Sequence, residues 1–68
     1  MRVLLNGEGH TLDDGATVRA AVAAAGAPGE GRGVAVALDG EVVPRGRWDD
    51  LPLQEGQRVE VVQAVQGG

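Results

Sequence analysis

The first apolar positions of the chain predict a hairpin. Residues 2–6 form a short apolar run that ends at Asn6-Gly7, a pair that tolerates positive φ and commonly turns a hairpin. A second strand over residues 10–13, with Leu12 as its apolar anchor, is then expected to fold back on the first. The weak hydrophobic pattern of this second strand predicts that it lies at the edge of a sheet.

The next segment has helical periodicity. Over residues 18–25 the apolar positions are spaced i, i+3, i+4 and i+7, which places them on one face of a helix. These positions are Val18, Ala21, Val22 and Ala25. Thr17 precedes them as a candidate N-cap whose hydroxyl would accept a hydrogen bond from the first helical turn. Gly26, with Pro28 two residues later, predicts the end of the helix.

The second half of the chain predicts three more strands. Val34–Leu38 is continuously apolar, as in an interior strand, and the Asp-Gly pair after it is a strong hairpin signal. Glu41–Val43 is therefore expected to return antiparallel beside it. Residues 58–65 follow as the last strand. The intervening residues 45–53 lack a clean period and predict an irregular connection with a short helical turn, held by Trp48, Leu51 and Leu53.

These elements predict an α+β fold, with one helix across one face of a mixed sheet of roughly five strands. A chain of 68 residues has room for one domain and no residues to spare for a deep active-site cavity. We place that domain at residues 1–65 and a flexible Gly-Gly tail at residues 66–68.

Strand alternation predicts what each face of the sheet presents. The residues expected to face the helix are Val3, Val36, Leu38, Val59 and Val61. The apolar residues sent to the opposite face are Leu4, Ala35, Ala37, Val62 and Ala64. Since no remaining element could cover that face, we predict an exposed apolar patch beside the tail that docks partner proteins, with Gln66 included in the contact.

Composition excludes most kinds of chemistry. The chain has no Cys, Ser, Tyr, Phe, Lys or Ile, and it has one His and one Trp. Disulfides, Cys-ligated metal centres and thiol, Ser or Lys nucleophiles are excluded, and we predict neither a catalytic residue nor a metal site. A formal net charge of −4 disfavours nucleic acid as a partner. The apolar stretches are too short for a signal-peptide core or a membrane span, so we expect a cytoplasmic protein.

Other polar and aromatic residues are assigned structural roles. His10 has no second His or Cys near it in the sequence, and we interpret it as a solvent-facing strand residue. The two pairs of adjacent aspartates are interpreted as a charge at the start of the helix and a solvated loop. Trp48 is expected to supply core area that a Val- and Ala-rich chain otherwise lacks.

The C-terminal Gly67-Gly68 is the feature with clear reactive potential. Glycines without a Cβ can thread a narrow channel in a partner protein and adopt backbone angles that other residues avoid. The carboxylate of Gly68 is a poor acyl donor, so another protein would have to activate it, most simply as an acyl-adenylate made from ATP. Sulfur could then displace AMP and leave a thiocarboxylate. A frayed terminus or a cloning scar is the structural alternative.

Several short motifs match one known pattern. The specific parts are V-V-P-R-x-x-W at residues 42–48 and the Gly-Gly end, and the opening residues 3–7 are also similar. In these motifs the chain resembles the ThiS family, the β-grasp, ubiquitin-like sulfur carriers of the thiamine pathway. The likeness covers the chain apart from residues 26–33. Gln57 departs from it, because such carriers often have Asp after this turn glycine, but the position only shapes a turn.

The resemblance implies a β-grasp fold and the role of a sulfur carrier. It implies that a ThiF-type adenylyltransferase uses ATP to adenylate Gly68, and that sulfur from a cysteine desulfurase relay converts the adenylate to a thiocarboxylate. Thiazole synthase then takes the sulfur for thiamine biosynthesis. Gly67 would give the modified residue clearance. The chain itself would bind no cofactor and would be a protein co-substrate of these enzymes rather than an enzyme.

Three other functions stay open at this point. A related carrier of the molybdopterin type shares the fold and the Gly-Gly end, although such carriers tend to be longer and richer in aromatic residues. A ubiquitin-like modifier would be joined through Gly68 to lysines of other proteins. A passive binding module, in which the Gly-Gly end is incidental, would tolerate deletion of the tail.

Overall fold

The computed structural model describes residues 1–27 and 32–63, which form a mixed β-sheet with a helix against one face. The strands are β1 (Arg2–Leu5), β2 (Glu8–Thr11), β3 (Val34–Leu38), β4 (Glu41–Val43) and β5 (Arg58–Gln63), accompanied by helix α1 (Val18–Ala24) and a 3₁₀ helix at Arg45–Arg47. The predicted helix stop at Pro28, the last two residues of the predicted final strand and the predicted tail lie outside the described residues.

The strand order β2-β1-β5-β3-β4 places the last strand at the centre of the sheet. β5 runs parallel to β1, with Leu4 beside Arg58, and antiparallel to β3, with Val36 beside Val61. The antiparallel hairpins β1–β2 and β3–β4 flank it on its two sides. The predicted α+β class and mixed sheet are confirmed, and β2 is an edge strand as predicted.

Each hairpin turns through two residues with positive φ, as tight hairpins prefer. The φ values are 51° at Asn6, 84° at Gly7, 48° at Asp39 and 88° at Gly40. The predicted second strand, folded back on the first, is confirmed. Its predicted bounds of roughly 10–13 are wrong, because the first turn takes only two residues and the strand already begins at Glu8. Leu12 follows that strand and packs, half-buried, against the core.

The N-terminus of α1 is capped by backbone groups from another segment. Thr17 is the N-cap residue, as predicted, but its hydroxyl makes no capping hydrogen bond, so the predicted mechanism is wrong. The N–H of Val18 instead donates to the carbonyl of Leu51 at 3.0 Å, and the N–H of Arg19 to the carbonyl of Trp48 at 2.9 Å. The connection between β4 and β5 therefore supplies the acceptors that a capping side chain would otherwise provide.

The helix ends one residue earlier than its apolar spacing predicts. Val18, Ala21 and Val22 are buried, whereas Ala25 is an exposed C-cap residue. Gly26 follows with a φ of 76°, a left-handed conformation typical of the residue just after a helix. Because the chain leaves helical geometry there, Ala25 does not join the buried face that Val18, Ala21 and Val22 form.

The core lies between the sheet and α1. Its buried residues are Val3, Leu5, Val18, Ala21, Val22, Val36, Val43, Trp48, Leu53 and Val59. Leu38, Leu51 and Val61 pack against this core, half-buried. Trp48 is 1% exposed, and its indole Nε1–H donates to the carbonyl of Val43 at 3.2 Å. The predicted helix-facing strand positions and the predicted role of Trp48 in the core are confirmed.

Candidate functional site

The face of the sheet opposite α1 is exposed. On β5, Val59 is buried beneath the helix, whereas Arg58, Glu60 and Val62 point to the other face and are exposed. Leu4 on β1 is exposed in the same way. In the part of the chain that the structure describes, no helix or strand covers this open face. Among these described residues, the open face is therefore uncovered.

Four apolar side chains come together on the open face. The strand register places Val62 opposite Ala35, and Val42 opposite Ala37. Val62 is 59% exposed and Val42 is 78% exposed, while Ala35 is exposed and Ala37 half-buried between them. We call these four residues the apolar patch. Val62 is the second-last residue of β5. The apolar patch therefore lies beside the strand end from which the chain continues to its C-terminus.

The patch contains part of the predicted docking set. Leu4 is 42% exposed but lies beside Arg58, four positions before Val62 on β5. Arg58 and Glu60 stand between Leu4 and the patch, and together with Leu4 they line a shallow depression of about 270 Å³ at the end of β1. The structure therefore brings Ala35, Ala37 and Val62 together and leaves Leu4 apart. The predicted site residues outside the described range are Ala64, Gln66, Gly67 and Gly68.

Val42 belongs to the patch although sequence reasoning did not select it. The signal was present, because a two-residue hairpin turn pairs the second residue before the turn with the second residue after it. That rule pairs Ala37 with Val42, as the structure does. Cross-strand partners share a face, so the outward direction predicted for Ala37 also applied to Val42.

Asn6 is a second residue that sequence reasoning assigned only to a turn. Its backbone N–H donates to the carbonyl of Val59 at 2.9 Å. Its side-chain Oδ1 accepts a hydrogen bond from the N–H of Val61 at 2.8 Å, and its Nδ2 donates to the carbonyl of Val61 at 3.3 Å. The side chain thus continues the contact between β1 and β5 beyond the last residue of β1.

Two arginines on the open face lie near Leu4. The guanidinium group of Arg2 lies over Gly9 of β2, where a Cβ would collide with it. Arg58 follows Gln57 at the start of β5, and its backbone N–H donates to Oδ1 of Asp39 at 3.0 Å. Within residues 1–27 and 32–63, neither guanidinium group has a carboxylate at ion-pair distance. The carboxylate of Glu55 accepts the backbone N–H of Arg2 at 2.9 Å, and Glu60 lies on the open face beside Arg58, so this side carries charges of both signs.

A shifted pKa is found on the helix side of the molecule. Arg19 of α1 donates through Nε to Oδ1 of Asp49 at 2.9 Å and through Nη2 to Oδ2 at 3.3 Å. These hydrogen bonds hold the pKa of the Asp49 carboxyl below its ordinary value of 3.8. The pair joins the helix to the β4–β5 connection and takes no part in the open face.

The described residues also show what the site does not contain. Among residues 1–27 and 32–63, no group of three or more His, Cys, Asp or Glu side chains is placed to hold a metal ion. Over the same ranges, no helix has the length and apolar character needed to cross a bilayer.

The mixed five-stranded sheet with one helix across it is the ubiquitin-like β-grasp fold, as the resemblance implied. A family model identifies the family within this fold. The model for the ThiS family matches residues 3–68, so the chain belongs to that family. The match includes both C-terminal glycines. The family consists of small sulfur carriers of thiamine biosynthesis that work with partner enzymes.

A solved structure agrees with this assignment. The crystal structure of the thiamine biosynthesis protein (ThiS) from Geobacter metallireducens is similar, with a TM-score of 0.78 and 28% sequence identity over 100% of both chains. No curated protein matches the sequence. The family and the fold implied by the sequence motifs are both confirmed, and the thiamine branch is supported over the molybdopterin type.

Proposed function

We propose that this chain is a cytoplasmic sulfur carrier whose C-terminal Gly68 is adenylated, converted to a thiocarboxylate and used as the sulfur donor for thiazole formation in thiamine biosynthesis. The observation that supports this most directly is the ThiS family match, which extends through residue 68 and so includes the Gly-Gly end. A small fold that presents an apolar patch beside its C-terminal strand is consistent with a protein that other enzymes handle.

The proposed chemistry takes place at one carboxylate in two steps. An oxygen of the Gly68 carboxylate attacks the α-phosphorus of ATP, the bond to the β-phosphate oxygen breaks, and pyrophosphate leaves. A hydrosulfide equivalent then attacks the acyl carbon, the bond from this carbon to the AMP oxygen breaks, and AMP leaves with the electron pair. The product is a thiocarboxylate, in which sulfur replaces one carboxylate oxygen.

The partner enzymes supply everything except the carboxylate. A ThiF-type adenylyltransferase would bind ATP. A cysteine desulfurase relay would deliver the sulfur as a persulfide, a thiol reductant would supply the two electrons that bring it to the sulfide level, and thiazole synthase would consume it. This chain would bind no cofactor and act as their co-substrate. Gly67, which has no side chain, would let the end of the chain enter a narrow active site.

We propose the open face as the docking surface for the adenylyltransferase. Any enzyme that receives Gly68 must approach the end of β5, where Val62 and Ala35 are exposed. The apolar patch would form the centre of this contact, and Leu4 would lie at its rim beyond Arg58. The predicted contacts of Ala64 and Gln66 stay part of the proposal.

The deciding experiment is the intact mass of the protein after incubation with ATP, the cognate adenylyltransferase and sodium sulfide. The proposal predicts a mass gain that corresponds to replacement of one oxygen by sulfur. A variant that lacks Gly68 is the matched control and should show no gain. An unchanged mass of the full chain, with the enzyme shown to be active on another carrier, would contradict the proposal.

A further inference from the structure

We propose that Asn6 is a positioning residue for the C-terminal chemistry, because its side chain fixes the part of β5 from which the chain continues to Gly68. This inference rests on the proposed function. Its structural basis is the pair of hydrogen bonds between the Asn6 amide and the backbone of Val61, a residue 55 positions away in the sequence.

The backbone of β1 cannot make these contacts itself. β1 ends at Leu5, and the left-handed φ of 51° at Asn6 turns the chain away toward β2. β3 remains paired with β5 as far as Gln63 on the other side. Among the described residues, the side-chain amide of Asn6 therefore makes the hydrogen bonds from the β1 side that lie nearest the C-terminal end of β5. Val61, which it holds, lies seven positions before Gly68.

The second hairpin shows that the turn alone does not require an amide. Asp39 occupies the equivalent turn position with a φ of 48°. Its carboxylate also reaches across to β5, but at the opposite end of that strand, where Oδ1 accepts the N–H of Arg58 at 3.0 Å. A carboxylate only accepts hydrogen bonds, whereas the contact with Val61 needs one acceptor and one donor on the same side chain. Asn satisfies both requirements.

Loss of this contact should weaken productive binding while leaving the chemical step intact. With the β1 side released, the strand end samples more positions relative to the docking surface. A smaller fraction of molecules then presents the C-terminus correctly, and the apparent affinity falls in proportion to that fraction. We expect KM for the carrier in adenylation to rise roughly five- to tenfold, with kcat changed less than about twofold.

The test uses Asn6→Asp and Asn6→Gly, measured by adenylation-dependent ATP–pyrophosphate exchange. Asn6→Asp keeps the turn and the acceptor but sets a carboxylate oxygen against the carbonyl of Val61, and Asn6→Gly removes both side-chain bonds. Asp39→Asn is the matched control, since it makes the reverse exchange at the equivalent turn and should leave KM unchanged. Amide hydrogen exchange of Asn6→Gly should accelerate at Val61 and stay slow at Val36 in the core.

The outcomes separate this inference from the proposed function. A wild-type KM for both Asn6 variants would overturn the positioning role and leave the carrier function standing. A rise in KM for Asp39→Asn as large as that for Asn6→Asp would also overturn it, since any disturbance of β5 would then suffice. A fall in kcat at unchanged KM would do the same. Failure of the wild-type protein to gain sulfur would instead overturn the proposed function.

Discussion

At the scale of single residues, Trp48 combines several stabilising contacts in one side chain. It is the chain's one aromatic residue and is almost fully buried. Its indole Nε1–H satisfies the carbonyl of Val43 at 3.2 Å, and the guanidinium groups of Arg19 and Arg45 lie 5.2 Å and 5.8 Å from its ring centroid. One side chain thus provides core area, a buried hydrogen bond and a surface for two cations.

Substitution of Trp48 should separate these contributions. Trp48→Phe keeps most of the apolar area but leaves the Val43 carbonyl without its donor, so we expect a loss of about 1–2 kcal/mol in the free energy of unfolding. Trp48→Ala also opens a cavity and should cost about 3–5 kcal/mol, most of the stability of a domain this small. Urea unfolding followed by far-UV circular dichroism measures both, because the substitutions remove the fluorophore.

Leu4→Ala is the control for that series, since Leu4 is 42% exposed on the open face. It should cost less than about 1 kcal/mol. A Trp48→Ala protein as stable as Leu4→Ala would show that the buried indole does not hold the core together.

At the scale of secondary-structure elements, the start of α1 depends on a segment that is distant in sequence. The carbonyls of Trp48 and Leu51 accept the N–H groups of Arg19 and Val18. A Ser, Thr, Asp or Asn before an apolar helical face ordinarily predicts side-chain capping, but this local signal cannot show that backbone acceptors arrive from elsewhere. The helix and the β4–β5 connection should therefore form together.

Thr17→Val tests this view of the helix start. The hydroxyl of Thr17 makes no capping hydrogen bond, so its removal should change the free energy of unfolding by less than about 0.5 kcal/mol. A capping hydroxyl would instead be worth about 1 kcal/mol. Thr11→Val, an exposed position on β2, is the matched control in urea unfolding. A loss of about 1 kcal/mol relative to this control would restore the side-chain cap.

At the scale of the whole molecule, local signals predicted the elements, while long-range pairing decided how they meet. The Asn-Gly and Asp-Gly turns were recognisable because a tight hairpin needs a positive φ at two adjacent residues, which these residue types tolerate. The apolar face opposite the helix followed from strand alternation. The separation of Leu4 from Val62 did not, because it depends on the parallel register of β1 and β5. The contact between Asn6 and Val61 depends on the same register.

The open face and the exposed side of α1 should therefore respond differently to an added negative charge. Val62 is 59% exposed on β5 and lies within the apolar patch, so Val62→Asp should alter the free energy of unfolding by less than about 1 kcal/mol. In a complex with the adenylyltransferase the new carboxylate would be buried against apolar surface without a partner, which is costly. We expect KM for adenylation to rise about tenfold or more, equivalent to about 1.4 kcal/mol of lost binding.

Ala23→Asp adds the same charge at an exposed position on α1 and should leave KM unchanged. Equal KM values for the two variants, with native circular dichroism spectra, would mean that the enzyme reaches Gly68 without using the open face.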